Sequence, residues 1–256
     1  QVEALCKQVG EFQLQHWQSV KLDQIADKGL NQLVSFVDKE SEQKLMDGLL
    51  AILPGSCFIG EEFNPDSVLS DEPTWIIDPL DGTTNFLHGL PVFAVSVALW
   101  DAGSAQLGVV HAPAMHETFT AVRGGGAYLN GKVLQLNGEL NLSQSLIATG
   151  FPYYDFEKMT PYLELLSDLM RSTHGLRRMG SAAIDLAYMA AGRFDAFYEM
   201  GLAPWDVAAG VLLVEEAGGF VSNFTGGPSV LFKREIIAAH PALAKEFLQR
   251  VSDKLA

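Results

Sequence analysis

The sequence predicts an α+β fold that turns α/β in its second part, with both parts closing on one cleft. Three observations predict it. Between residues 91 and 129 four strand-like runs follow one another across short turns, the spacing of an antiparallel meander. From residue 146 onward short strand-like runs alternate with helical ones. Of 256 residues 48% are apolar and 19% charged, enough core and too little charge for a disordered chain. One domain over 1–256 is expected, with subdomains 1–145 and 146–256.

In order, residues 3–19 read as a helix, with Leu5, Val9, Phe12 and Trp17 loosely periodic. Residues 21–30 read as a loop or short hairpin, and 31–37 as the approach to a second helix that Asp38 is placed to cap. Leu45, Met46, Leu49, Leu50 and Leu53 give that helix its apolar face, and Pro54-Gly55 stops it. Ser56-Cys57-Phe58-Ile59 is a short strand ending in Gly60-Glu61-Glu62, and 64–73 is a polar excursion. Trp75-Ile76-Ile77 is the next strand. The chain is expected to leave it at Asp78, because Pro79 cannot continue a ladder and Gly82 relaxes the backbone.

The meander runs cover 91–100, 105–111, 117–122 and 126–129. Gly124-Gly125-Gly126 reads as a hairpin turn, since no Lys-Ser/Thr or helix follows it as a phosphate loop requires. Asn130-Gly131 signals another hairpin. Further on, 146–149 is a strand and 156–170 a helix with Leu163, Leu166 and Leu169 on one face. Gly180-Ser181 caps a helix over 182–191, and 193–198 is a strand ending in Glu199. Pro204-Trp205-Asp206 opens a helix apolar almost all round and hence buried. Strands at 219–222 and 235–239 and a helix over 241–254 complete the chain.

The formal net charge of −14 argues against non-specific nucleic-acid binding, which needs a basic surface. There is no Cys-x-x-Cys pair, so neither a zinc knuckle nor a redox motif is supported, and Cys57 reads as a buried thiol. The six histidines show no metal-ligand spacing and read as surface or packed residues. No membrane span or signal-peptide pattern stands out, so a reducing cytoplasmic setting is expected. Arg171, Arg177 and Arg178 form a small basic cluster, read as a subunit contact or surface pairing.

The chemistry concentrates in Asp78-Pro79-Leu80-Asp81-Gly82-Thr83-Thr84-Asn85-Phe86. Two carboxylates three residues apart repel unless a cation lies between them, and an oxygen-only donor set suits a hard cation such as Mg²⁺. Gly82 and Thr83 follow with amides and a hydroxyl that can receive a phosphate or orient a water. Alternatively, both aspartates satisfy backbone amides as Asx-turns. Glu61 closes a strand in a similar setting. Asp206 either complements its helix dipole or projects a carboxylate into a site at the helix mouth.

Gly60-Glu61-Glu62, the nine residues from Asp78 and Trp205-Asp206-Val207-Ala208-Ala209-Gly210 resemble, in order and spacing, the three signatures of the inositol monophosphatase family. The resemblance covers nearly the whole chain. It implies a layered αβαβα sugar-phosphatase fold and a Mg²⁺-dependent, Li⁺-sensitive phosphomonoesterase that works as a homodimer on a small phosphate monoester. Ions at a carboxylate cluster would also let an acidic protein attract an anionic substrate.

By the same resemblance, Glu61, Asp78 and the Leu80 carbonyl hold a first ion, and Asp78, Asp81 and Asp206 a second. A third, weaker ion lies near Glu61 and Asp38. Glu61 and Thr83 orient the attacking water, the Gly82 and Thr83 amides bind phosphate oxygens, and Glu62 supports them from behind. Glu199 and the segment Gly180-Ser181-Ala182 contact the substrate hydroxyls, together with Asp81 and Asp206. Thr84-Asn85-Phe86 favours inositol monophosphate over the alternatives within the fold, fructose 1,6-bisphosphate, histidinol phosphate or a nucleotide 3′-phosphate. The pocket segment is expected to offer no cation to a second phosphate. A regulatory protein acting with RNA or transcription partners is the reading from another class, which loss of an acidic ligand would favour; none is lost.

Overall fold

The structure, a computed structural model, describes residues 1–20, 25–29, 32–152 and 156–256. Two helices open the chain, α1 (Val2–His16) and α2 (Phe36–Ile52), with an antiparallel pair β1 (Ile25–Gly29) and β2 (Gln32–Ser35) between them. The first large sheet holds β3 (Cys57–Gly60), β4 (Thr74–Asp81), β5 (Ala94–Asp101), β6 (Ser104–Ala112), β7 (Glu117–Val122), β8 (Gly126–Leu129) and β9 (Lys132–Leu134), neighbours in chain order. Only β3 and β4 run parallel in it; the rest is the expected meander. The short helix α3 (Thr83–Leu87) joins β4 to β5.

The second part supplies β10 (Leu146–Thr149), α4 (Met159–Ser172), β11 (Gly175–Arg177), α5 (Ala182–Ala190), β12 (Ala196–Met200), α6 (Pro204–Glu216), β13 (Phe220–Ser222), β14 (Glu235–Ala239) and α7 (Ala244–Leu255). Its sheet has the order β11-β10-β12-β14-β13. β10 is parallel to β11 and β12, and β14 antiparallel to β12 and β13.

Side-chain alternation builds the layers. On β4, Trp75 and Ile77 face α1 and α2, packing with Val9, Leu45 and Leu49, while Ile76 faces the interior. On β12, Phe197 faces inward with α5 and α6, while Ala196 and Tyr198 meet Tyr162 of α4 and Phe247 of α7. The result is α1/α2, sheet, α5/α6, sheet, α4/α7: the αβαβα order. Both faces of each sheet are covered, which is why the strands read as apolar runs. Gly108 lets α6 close on the first sheet, because a Cβ there would lie 2.9 Å from the Ala209 carbonyl. Among the described residues no helix is long and apolar enough to cross a membrane.

Several expectations shift. β4 does not end at Asp78; it runs through Pro79 to Asp81 with a bulge between the two aspartates, where the extra residue leaves the ladder. Of the loop or short hairpin expected after α1, the described residues 25–29 and 32–35 pair as antiparallel strands, and the pairing takes in residues read as the approach to α2. α2 starts at Phe36, so Asp38 lies in its first turn, not before it. α4 buries Tyr162, Leu165 and Leu169; Leu163 is exposed and Leu166 half-buried, because the packed face is offset by one residue from the leucine spacing. Cys57 is only half-buried. The three-residue strand β11 was not foreseen, being too short for any periodicity.

Candidate functional site

The bulge in β4 turns Asp78 and Asp81 toward one region, and helix ends meet them there. Asp78 is 2% exposed and accepts the Leu80 N–H on Oδ1 at 3.0 Å. Pro79 does not weaken this stretch: its carbonyl accepts Gln13 Nε2 from α1 at 2.6 Å. Asp81 Oδ2 accepts the Ser181 hydroxyl at 2.5 Å and the Ala183 N–H at 2.7 Å, both from the start of α5. Asp206, third residue of α6 after Pro204, folds back on the Ala203 N–H at 2.7 Å. Carboxylate oxygens of Asp78, Asp81 and Asp206 all lie within 4.8 Å of one another.

Crowded buried acids resist ionisation. Burial, then Glu61, Asp81 and Asp206, push Asp78 well above the usual carboxylate range. Burial raises Asp81 to about 6 against the opposing hydrogen bonds from α5. Burial and Asp81 raise Asp206 to about 7. Glu61 thus stands close enough to act on Asp78.

A cavity of about 820 Å³ opens above this group, lined by Glu61, Asp81, Gly82, Thr83, Gly180, Ser181, Ala182, Glu199 and Asp206. Every expected substrate-contacting residue is therefore on one wall or another of it. Asp78 lies beneath. Glu199 is 6% exposed, not a water-facing strand end, and burial pushes it up to about 8 against the nearby Arg178. Gly82 has φ 90° and a Cβ there would lie 2.7 Å from the Val92 carbonyl, so glycine is required at the start of α3.

Asp38 and Leu80 are placed differently. Asp38 Oδ2 accepts the Ser35 N–H at 2.8 Å and hydroxyl at 2.7 Å, a capping arrangement, and Oδ1 accepts the Thr83 hydroxyl at 2.8 Å. The Leu80 carbonyl also accepts from Thr83, at 2.9 Å. These contacts place Asp38 and Leu80 behind Thr83, outside the three-carboxylate group.

Other residues escaped the sequence reading. Glu42, fully buried one turn after Asp38, accepts the Glu62 N–H at 2.7 Å and the Phe63 N–H at 3.0 Å, fixing the loop that carries Glu61. Its signal was the four-residue spacing from Asp38, together with Gly60, where a Cβ would meet Glu42 Oε1 at 2.5 Å. Gly150 makes room for Glu199, whose Oε1 would lie 1.7 Å from a Cβ there. Asn85, named in the central motif without this role, ties α3 to the segment before α5 through the Met179 carbonyl at 2.9 Å and to the loop before β5 through the Val92 carbonyl at 2.8 Å.

Two expectations about cations are corrected. Arg178 does not share a surface cluster with Arg171 and Arg177: it lines the cavity, with its guanidinium 5.6 Å from the Phe151 ring. The pocket is also not free of cations, because Lys158, Lys233 and Arg234 line it as well. These come from segments distant from Gly180-Ser181-Ala182, so only the fold assembles them.

The inositol monophosphatase family model matches residues 1–256. Nus factor SuhB of Escherichia coli K12 is 41% identical over 249 residues, 97% of this chain and 93% of that one. An inositol-1-monophosphatase of Mesorhizobium japonicum is 42% identical, across 91% of this chain and 87% of its own. The solved structure of extragenic suppressor protein suhB from Bartonella henselae superposes with a TM-score of 0.90 at 38% identity, covering 98% of this chain and 97% of that one. The Thermotoga maritima IMPase gives a TM-score of 0.89 at 33% identity, covering 99% and 96%.

Proposed function

The chain belongs to the inositol monophosphatase family, and we propose that it is a Mg²⁺-dependent phosphomonoesterase that hydrolyses inositol monophosphate to inositol and phosphate. The observation that carries the reading is the convergence of Asp78, Asp81 and Asp206 from β4 and α6 at the base of one cavity. The donor set is all oxygen, and burial, joined by neighbouring carboxylates at Asp78 and Asp206, holds it above the usual carboxylate range, the situation a hard cation relieves.

In this reading Glu61, Asp78 and the Leu80 carbonyl would hold one Mg²⁺, Asp78, Asp81 and Asp206 would hold a second, and Glu61 with Asp38 would hold a third, weaker one. When bound, the ions supply charge neutralisation for phosphoryl transfer and acidify water. Thr83 donates its hydroxyl hydrogen toward Asp38 and Leu80, leaving its lone pairs to accept a hydrogen from the attacking water, with Glu61 as the second orienting group. Amides of Gly82 and Thr83 take phosphate oxygens. Ser181 holds Asp81 in place, and Gly180, Ala182, Glu199 and Asp206 border the leaving group. No side-chain nucleophile is required.

The test is a phosphate-release panel with and without Mg²⁺, over myo-inositol 1-phosphate, fructose 1,6-bisphosphate and adenosine 3′,5′-bisphosphate. Expected is Mg²⁺-dependent turnover with the highest kcat/KM on the inositol phosphate, and inhibition by Li⁺. Buried Glu199 and Thr84-Asn85-Phe86 support that order; the cations of the cavity work against it. A higher kcat/KM for either bisphosphate would move the substrate assignment and leave the metal-assisted chemistry standing.

The name Nus factor carried by relatives at 41% identity favours a second reading, a role in transcription. Its mark would be retention of that role by the inactive Asp81→Asn variant. A cytoplasmic homodimer is part of the proposal, tested by light scattering for its mass.

A further inference from the structure

α5 presents a second acid to the cavity. Ser181 and Asp185 lie four residues apart, joined by the Asp185 N–H to Ser181 carbonyl bond at 3.0 Å, so both side chains stand on one face of the helix. That face borders the cavity, whose lining includes both residues. Asp185 is 1% exposed, and its Oδ1 has no hydrogen-bond partner among the described residues. The group is not needed to satisfy the helix end: the Ala183 N–H goes to Asp81, and the Ile184 N–H goes to the Ser181 hydroxyl at 3.3 Å. It faces Glu199 and Asp81, with Arg178 as the offsetting charge. A carboxyl buried beside two others, one of whose oxygens receives no donor from the described residues, costs stability in the empty protein.

We infer that Asp185 is a specificity-determining residue for a polyhydroxylated leaving group, its carboxyl and that of Glu199 accepting hydrogen bonds from neighbouring hydroxyls of one substrate. This rests on the phosphomonoesterase reading. The chemistry follows from what the wall lacks. Two neighbouring carboxyls on one cavity wall, of which Asp185 Oδ1 has no hydrogen-bond donor among the described residues, are matched by a vicinal diol, which brings two O–H donors and no charge. A leaving group without hydroxyls leaves the acceptors as they were and gains nothing from them. Arg178, close to both carboxyls, limits their mutual repulsion before the diol arrives.

The test is steady-state kinetics of the full chain in Mg²⁺ on myo-inositol 1-phosphate and on p-nitrophenyl phosphate, whose leaving group has no vicinal hydroxyls. Asp185→Leu, of similar size without an acceptor, is compared with Asp185→Asn, which keeps one. Expected for Asp185→Leu is a loss of roughly tenfold in kcat/KM on the inositol phosphate, carried by KM, with p-nitrophenyl phosphate changed by less than about twofold. Asp185→Asn should recover most of the loss. Parallel losses on both substrates, or no loss on either, overturn the inference. If the wild type releases phosphate from neither compound, the phosphomonoesterase reading fails, and free myo-inositol then judges Asp185. A rise in melting temperature with myo-inositol that Asp185→Leu abolishes supports the inference; no rise, or one that survives the substitution, overturns it.

Discussion

Two groups of buried acids, side by side in this molecule, are solvated in opposite ways. On α2, Glu42 and Asp38 are 0% and 1% exposed, as deep as Asp78 at 2%. Yet Glu42 accepts two amide hydrogens, and Asp38 accepts an amide and two hydroxyls, all from within the chain. At the cavity base Asp78 receives one amide and otherwise faces Glu61, Asp81 and Asp206. The comparison separates architecture from site. A buried carboxyl whose oxygens all accept from the chain, as in Glu42, holds a loop in place, and Asp38 with its own three bonds has little left for the weaker third ion proposed beside it. A carboxyl left facing other carboxyls is arranged for a cation or ligand the chain does not supply.

The sharpest way to break this contrast is Asp81→Asn. Phosphate release should fall to the background of the assay, while the metal-free protein melts no lower than wild type, since the amide oxygen still accepts from Ser181 and Ala183 and a repelling charge is gone. Near-normal turnover would remove Asp81 from the site. Next in size is Mg²⁺ itself, which should raise the melting temperature of the wild type; an ion at about a hundredfold over its Kd adds roughly 2.7 kcal/mol per site. The rise should shrink in Asp206→Asn, and a melting curve indifferent to Mg²⁺ in both proteins would place all these acids in the architectural class.

Glu42→Ala tests the other side. It leaves the Glu62 and Phe63 amides without an acceptor, and should cost about 2 kcal/mol by denaturant unfolding, with or without Mg²⁺. A cost that appears only with Mg²⁺ present would mean Glu42 belongs with the site acids. The smallest effect is on pH. A carboxyl whose pKa is higher folded than unfolded takes up protons on folding, so stability falls as pH rises from the ordinary pKa to the folded one. Asp206, raised from 3.8 to about 7, and Glu199, raised from 4.5 to about 8, set that fall for the metal-free protein. His111, buried and pushed from 6.5 down to about 4, acts oppositely below its ordinary value, so the fall should be seen between pH 6.5 and 8. Saturating Mg²⁺ should flatten it. A metal-free protein that melts higher at pH 8 than at 6.5 would contradict the raised values.

Much of this was legible in the sequence because local rules decided it. The meander follows from alternating runs and Gly- or Asn-rich turns, and β10 and β14 fall on the expected residues. Asp78, Asp81 and Asp206 could be named because Gly82 and Pro204 mark where a strand ends and a helix begins, and because the motifs that hold them resemble the family's signatures. What failed was whatever depended on a partner distant in sequence. Pro79 looked like a strand end because its acceptor role toward Gln13, on another helix, has no local trace. Arg178 read as a surface charge, and no local signal singled out Asp185, until the fold set both against Glu199. The sequence by itself determined which elements form and which acids stand at their ends, because backbone propensity and periodicity act over a few residues. Only the tertiary structure decided which buried carboxyls find donors and which are left to repel, because that balance is struck between side chains tens of residues apart.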